Sequence, residues 1–338
     1  MKSVLLRDIG HVQLTEREIP ERKQGEALIR IKTIGICGTD VNGFKGKGTK
    51  VNYPLIPGHE ATGEIVDIDP GNPKGLQKGD LVIIDPYVYC GNCYPCSIGR
   101  TNCCEKLKVL GVHTDGCMSE YVVHPDNLLH KIPDGMSLES AALAEPLTIA
   151  LHSLHRVSLG KGDKVLIFGA GPIGLLTAMA AIHYGGEPMI VDIVAERLQL
   201  ARTLGVRHVI NPAVQDLSEE VRTITAGRMA EAVVEATGSS ACIQNTITCS
   251  SYCGRIALTG WPDRETPLDT FSVTKKELQI FGSRNSKNEF GEAIDLIRKG
   301  GVDVNAIVSE TIAFSDLPEA IRKIAEFPGK YIKIVGCL

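Results

Sequence analysis

No block of lysines or arginines interrupts this 338-residue chain, whose 36 basic and 40 acidic residues leave a formal charge of −4. The electrostatic footprint of a nucleic-acid partner is missing. Long apolar runs are missing as well. The most apolar stretch, KVLIFGAGPIGLLTAMAAI from Lys164 to Ile182, is broken by Gly-Ala-Gly-Pro and reads as a strand turning into a helix, not as a membrane span. The opening MKSVLLRDIGHVQLTERE has an apolar run of only three residues, too short for the core of a signal peptide. A cytoplasmic protein is expected. Internal repeats and low-complexity segments are lacking too. With 43% hydrophobic residues the chain can bury a sizeable core, and its length suits about two domains.

Cysteine, by contrast, is plentiful at eleven residues. Without a secretion signal these are expected as thiols or metal ligands, because a reducing compartment keeps disulfides from forming. CGNCYPCSIGRTNCCEK sets Cys90, Cys93 and Cys96 at C-x2-C-x2-C spacing, with Cys104 chosen over Cys103 as the fourth member. Four thiolates fill a tetrahedral zinc shell and leave no open position, which makes such a site structural. The spacing differs from the usual ferredoxin patterns, and no proline follows the last cysteine. Cys117, Cys242, Cys249, Cys253 and Cys337 have no metal-like spacing and are expected to be ordinary packed thiols.

From Ser3 to about Val123 short alternating strands stand between Gly/Pro turns, as in ALIRIKTIG and GEIVDID. Around Ser137 the period changes, and SLESAALAEPLTIALHSLHRV predicts a helix that starts at Ser137 and kinks at Pro146. Beyond Gly160 strands and helices alternate, which requires a parallel sheet covered on both faces. Two helices and a last strand, YIKIVG, close the chain.

VLIFGAGPIGLL places Gly169, Gly171 and Gly174 in a G-x-G-x-x-G after a strand and at a helix opening. The first glycine permits the tight turn, the second lets backbone approach a pyrophosphate, and the third lets helix and strand pack closely. Asp192 ends the next strand, where a carboxylate accepts from a ribose 2′-hydroxyl and repels a 2′-phosphate, so NAD is expected over NADP. Pro172 and Ile173 open the helix, and Thr237 lies in VVEATG. They join the expected cofactor set together with Arg197, although Arg197 also reads as a solvated helix residue.

ICGTDVNGF and PGHEATGEI bring a second possible metal group: Cys37 and His59, with Glu60 or Glu145 as the third ligand. Three protein ligands and an open position define a catalytic zinc. The stretches GICGTD, PGHE, the four-cysteine loop, MSEY, AEPL, GAGPIG and VVEATG together resemble the zinc-dependent medium-chain dehydrogenase/reductase family over the whole chain. Glu145 in EPL is similar to its polyol and threonine dehydrogenase branch. GRTNCCEKLKVLGVHTDG with FGSRNSKNEF is similar to its bacterial L-galactonate and related sugar-acid 5-dehydrogenases.

The resemblance implies an α/β chain: a GroES-like β-rich catalytic domain (1–148), a Rossmann doubly wound parallel-sheet domain (149–286), and a C-terminal part of the catalytic domain (287–338). It implies Cys37, His59 and Glu60 as catalytic zinc ligands, while Glu145 either completes the shell or holds the water on it. Thr39 is similar to the family hydroxyl that takes the alcohol proton. Where many relatives carry a proton-relaying His, this chain has Asn42. His113, Arg284 and Asn285 are candidate substrate residues, with Arg284 and Asn285 expected to face the ligand crevice beyond the sheet's carboxyl edge. The implied activity is hydride transfer between NAD and a sugar-acid or polyol alcohol, with two zinc ions per chain in a homodimer or homotetramer. L-Threonine 3-dehydrogenase or sorbitol-type activity is the alternative within the class. A catalytically silent metabolite sensor is the alternative outside it.

Overall fold

The computed structural model describes residues 1–47, 51–262 and 264–338. It divides into two compact units. One comprises Met1–Glu145, Phe290–Lys299 and Ile307–Leu338, and the other Pro146–Glu289 and Gly300–Ala306.

The first unit is built on a seven-stranded sheet in the order Val308–Ala313, Lys333–Cys337, Glu26–Gly35, Glu60–Ile68, Leu81–Ile84 and Leu129–Lys131, with Tyr121–Pro125 also paired to Glu26–Gly35. The first two strands run parallel and the other pairs antiparallel. The alternation in Glu26–Gly35 sends Ala27, Ile29 and Ile31 inward, where they meet Ile65, Val82, Ile84 and Leu129 in one core. Arg30, on the opposite phase, is exposed.

The second unit carries a six-stranded parallel sheet. Counted along the chain, its strands lie in the order 3-2-1-4-5-6, the doubly wound Rossmann arrangement. Coverage on both faces explains the nearly continuous apolar strands Lys164–Phe168, Glu187–Val191 and Ala230–Glu235. The helix Pro172–His183 buries eight consecutive residues from Gly174 to Ala181, so its apolar composition reflects enclosure within the unit. Among the described residues no helix is long and apolar enough to cross a membrane.

Among the described residues, several elements differ from the sequence expectations. The helix expected from Ser137 with a kink at Pro146 is two helices, Leu138–Ala142 and Ala144–Arg156. Proline lacks an amide hydrogen and its ring clashes with the carbonyl four residues back, here Ala142, so the first helix stops and a second starts with Pro146 in its first turn. Ser137 caps the first helix by accepting from the Ser140 amide at 3.1 Å. The helices Gly38–Lys45 and Thr270–Lys276 and the strand Val308–Ala313 were not expected.

Candidate active site

Cys37 is the N-cap of the helix Gly38–Lys45, at the end of the strand Glu26–Gly35. Its amide donates to Asp40 Oδ2 at 2.8 Å. The other oxygen, Oδ1, accepts from the Gly58 amide at 2.9 Å. Asp40 is buried, and desolvation pushes its pKa upward. One carboxylate therefore joins the Cys37 turn to the loop that carries His59. That loop needs its glycine: Gly58 has φ +96°, and a Cβ there would stand 2.7 Å from Met118 Cγ.

Cys37, His59 and Glu60 bring their ligand atoms within 4.8 Å of one another. His59 and Glu60 are buried, and His59 Nδ1 is enclosed without a hydrogen-bond partner among the described residues. Burial disfavours the imidazolium, yet Cys37, Asp40 and Glu145 outweigh it and raise the His59 pKa well above its ordinary range. The enclosed groups thus favour positive charge at this point. A thiol, an imidazole and a carboxylate form a donor set suited to zinc with one position left open, so these residues fit the ion.

Glu60 has a partner that sequence reasoning missed. Lys333 Nζ donates to both Glu60 oxygens, at 2.6 and 2.7 Å, and to the Ile36 carbonyl at 3.1 Å. Lys333 and Glu60 are 2% and 1% exposed, so this ion pair is screened from water. Gly35 lies opposite Glu60 across the strands, and a Cβ there would overlap the Glu60 carboxylate. An ionised carboxylate has about four lone-pair sites, so the lysine leaves acceptor capacity for a metal.

Glu145 is also buried but stands outside the three-residue group. The buried Tyr87 hydroxyl donates to its Oε1. Burial, with a contribution from Glu60, pushes the Glu145 carboxyl up to about 7 against the opposing pull of His59. Thr39 Oγ1 is 3.7 Å from Cys37 Sγ. Asn42 is exposed on the same helix.

Cys90, Cys93, Cys96 and Cys104 form a second group within 4.8 Å. Cys93 is 3.4 Å from Cys96 and 3.8 Å from Cys104, while Cys104 is 3.5 Å from Cys90. A tetrahedron with Zn–S bonds of about 2.3 Å has edges of about 3.8 Å, so the sulfur separations suit four-coordinate zinc. Backbone amides point at the sulfurs, including Cys90 and Lys106 N–H donating to Cys104 at 3.3 Å. The Asn92 amide and neighbouring donors bring Cys90 down to about 6, while burial raises Cys96 to about 12. Cys103 is outside this group.

In the second unit Gly169 has φ +98°, and its amide donates to the Val191 carbonyl at 2.7 Å. A Cβ on Gly174 would overlap the Gly169 carbonyl, whereas one on Gly171 would meet nothing within 4 Å. The turn therefore packs tightly behind and is open in front, where the start of Pro172–His183 supplies amide donors. This suits a pyrophosphate. Ile173 lies in that first turn. Asp192 accepts from the Ala170 amide at 2.7 Å and the Val194 amide at 2.9 Å, and Arg197 stands 3.9 Å from its Oδ2. Its remaining lone pairs suit a ribose hydroxyl. Thr237, beside Gly169, binds the buried Glu235 through both its amide and its hydroxyl.

His113 is exposed in the first unit, and its Nδ1 accepts from the Val109 amide at 3.1 Å. Arg284 and Asn285 follow the last strand of the parallel sheet, both half-buried, with Asn285 at φ +49°. Trp261 is 67% exposed, and its backbone packs against Gly238.

Residues 23–134 match the alcohol dehydrogenase GroES-like domain and residues 172–299 the zinc-binding dehydrogenase domain. The chain is 47% identical to a zinc-type alcohol dehydrogenase-like protein of Haemophilus influenzae, over 99% of this chain and 98% of that one. It is 36% identical to L-galactonate-5-dehydrogenase of Escherichia coli K12, over 91% and 90% of the two chains. A structure of an alcohol dehydrogenase from E. coli CFT073 complexed with NADH superposes with a TM-score of 0.93 at 33% identity, covering 100% of this chain and 99% of that one.

Lys333→Met is expected to cost roughly 3–5 kcal/mol in denaturant unfolding, because it leaves the Glu60 charge buried and unpaired. Elemental analysis is expected to give about two zinc ions per chain. Cys37→Ala is expected to remove one ion and turnover with little loss of melting temperature, and Cys93→Ala to lower the melting temperature first.

Proposed function

Because this chain belongs to the zinc-dependent medium-chain dehydrogenase family, an oxidoreductase family, we propose that it moves a hydride between a secondary alcohol of a sugar acid or polyol and NAD. The observation that carries the reading is the buried group of Cys37, His59 and Glu60, with its unpartnered imidazole nitrogen and its preference for positive charge. Zinc held by these three residues supplies the Lewis acidity that makes the alcohol proton easier to lose. NAD supplies the hydride acceptor.

The remaining steps belong to the chain's own groups. Thr39, two residues from Cys37, accepts the alcohol proton through its hydroxyl. Asn42 has no titratable proton near neutral pH, so the proton leaves by a route other than residue 42. Tyr87 holds Glu145 with one oxygen engaged, which orients the carboxylate beside the ligand group. Asp192 takes the ribose hydroxyl and disfavours a 2′-phosphate.

A sugar acid is favoured over a neutral polyol because Arg284 follows the carboxyl end of a nucleotide-domain strand, where ligands of such sheets gather. Its guanidinium can grip a carboxylate with two charge-assisted bonds, and a neutral polyol gains less from it. Likeness to the L-galactonate enzyme supports the same choice. A silent sensor would be marked by loss of Cys37, Thr39 or His59, and all three are present.

Hexonates, polyols and L-threonine supplied with NAD or NADP, with reduced nicotinamide absorbance as the readout, test the reading. Turnover of a hexonate with NAD is expected to exceed that of the other substrates. A flat response across the panel would favour the sensor. Arg284→Met is expected to lose roughly 2 kcal/mol of transition-state stabilisation for the hexonate and much less for the matching polyol. Equal losses would remove the carboxylate role.

A further inference from the structure

The segment that carries Arg284 and Asn285 is tied at both ends to one helix face within the second unit. His152, His155 and Arg156 of the helix Ala144–Arg156 stand at i, i+3 and i+4, and so share that face. At the near end, Arg156 Nε donates to the Gly282 carbonyl at 3.1 Å, and its guanidinium lies 4.8 Å over the Phe281 ring. At the far end, Glu289 Oε1 meets His152 Nδ1 at 2.8 Å and His155 Nδ1 at 3.3 Å. Glu289 Oε2 accepts from the Lys287 amide. His152 and Glu289 are buried, at 4% exposure each.

The residues between these anchors, 283–288, form neither helix nor strand. Asn285 and Asn288 both take left-handed backbone conformations, at φ +49° and +64°, which residues other than glycine adopt at a cost and keep only where their surroundings enforce them. Ser283 and Ser286 are buried, while Arg284 and Asn285 are half-buried. A buried carboxylate held by two imidazoles is a poor device for stability alone, since desolvation offsets much of its attraction. Fully partnered polar networks do fix one conformation out of several.

We propose that Glu289, with His152 and His155, is a positioning device for substrate choice. The clasp sets the backbone from which Arg284 and Asn285 project, and thereby the preference for a carboxylate-bearing substrate over a neutral polyol. The inference rests on the substrate reading above and adds residues that touch no reacting atom.

The test compares kcat/KM for a hexonate and for the matching neutral polyol in zinc-loaded enzyme, with NADH affinity measured on the same samples by fluorescence. Glu289→Gln keeps the side-chain shape and removes the charge that holds the imidazoles. It is expected to lower the hexonate-to-polyol ratio at least about fivefold, mainly through KM for the hexonate, with NADH affinity within about twofold of the original. His155→Ala, at a half-exposed position, is expected to shift the ratio in the same direction by less, and it carries the test if Glu289→Gln does not fold. An unchanged ratio, or equal losses for both substrates together with NADH affinity, would reduce the clasp to a structural brace. Arg284→Met separates the two ideas. If it leaves the ratio unchanged, the carboxylate reading falls and the clasp proposal with it. If it collapses the ratio while the clasp variants do not, only the clasp proposal is overturned.

Discussion

The corner of the first unit that gathers Cys37, His59 and Glu60 depends on one carboxylate outside that group. Asp40 accepts the Cys37 amide on one oxygen and the Gly58 amide on the other, and so joins two segments about twenty residues apart in sequence. Without it, two amides would be left seeking partners in a largely buried region, at about 1–3 kcal/mol for each buried group. Strand pairing aligns Gly35 with Glu60. Asp40 fixes what strand pairing leaves open, the approach of the Cys37 turn to the His59 loop.

Around that junction each buried carboxylate has a partner. Lys333 engages both oxygens of Glu60, and Tyr87 engages one oxygen of Glu145. The balance still favours positive charge at His59, whose imidazole is raised despite burial. Such an environment suits a divalent ion, whose charge would relieve repulsion among the neighbouring carboxylates and the Cys37 sulfur. The four-cysteine loop offers sulfur atoms alone, and its four donors would fill every position of a tetrahedron around zinc.

Motifs that act through neighbouring residues were legible in the sequence. G-x-G-x-x-G after an apolar strand marked the tight turn into the helix Pro172–His183, and C-x2-C-x2-C marked the sulfur cluster. Interactions that depend on the fold were not. Lys333 and Glu60 are 273 residues apart, and no local pattern distinguishes this lysine from a solvated one until the last strand is paired beside Gly35. His152 and Glu289 are 137 residues apart. The helix Thr270–Lys276 buries no residue, and the strand Val308–Ala313 buries none fully, so neither has the periodic apolar signal by which elements are read.

If Asp40 organises the mixed Cys/His/Glu site and leaves the four-cysteine site independent, the two metals should separate in one variant. The direct measurement is zinc content per chain of Asp40→Asn after dialysis against a weak chelator, with circular dichroism to verify the fold. About one zinc per chain is expected, retained by the four cysteines, against about two in the original protein. Retention of both ions with unchanged affinity would contradict the role given to Asp40.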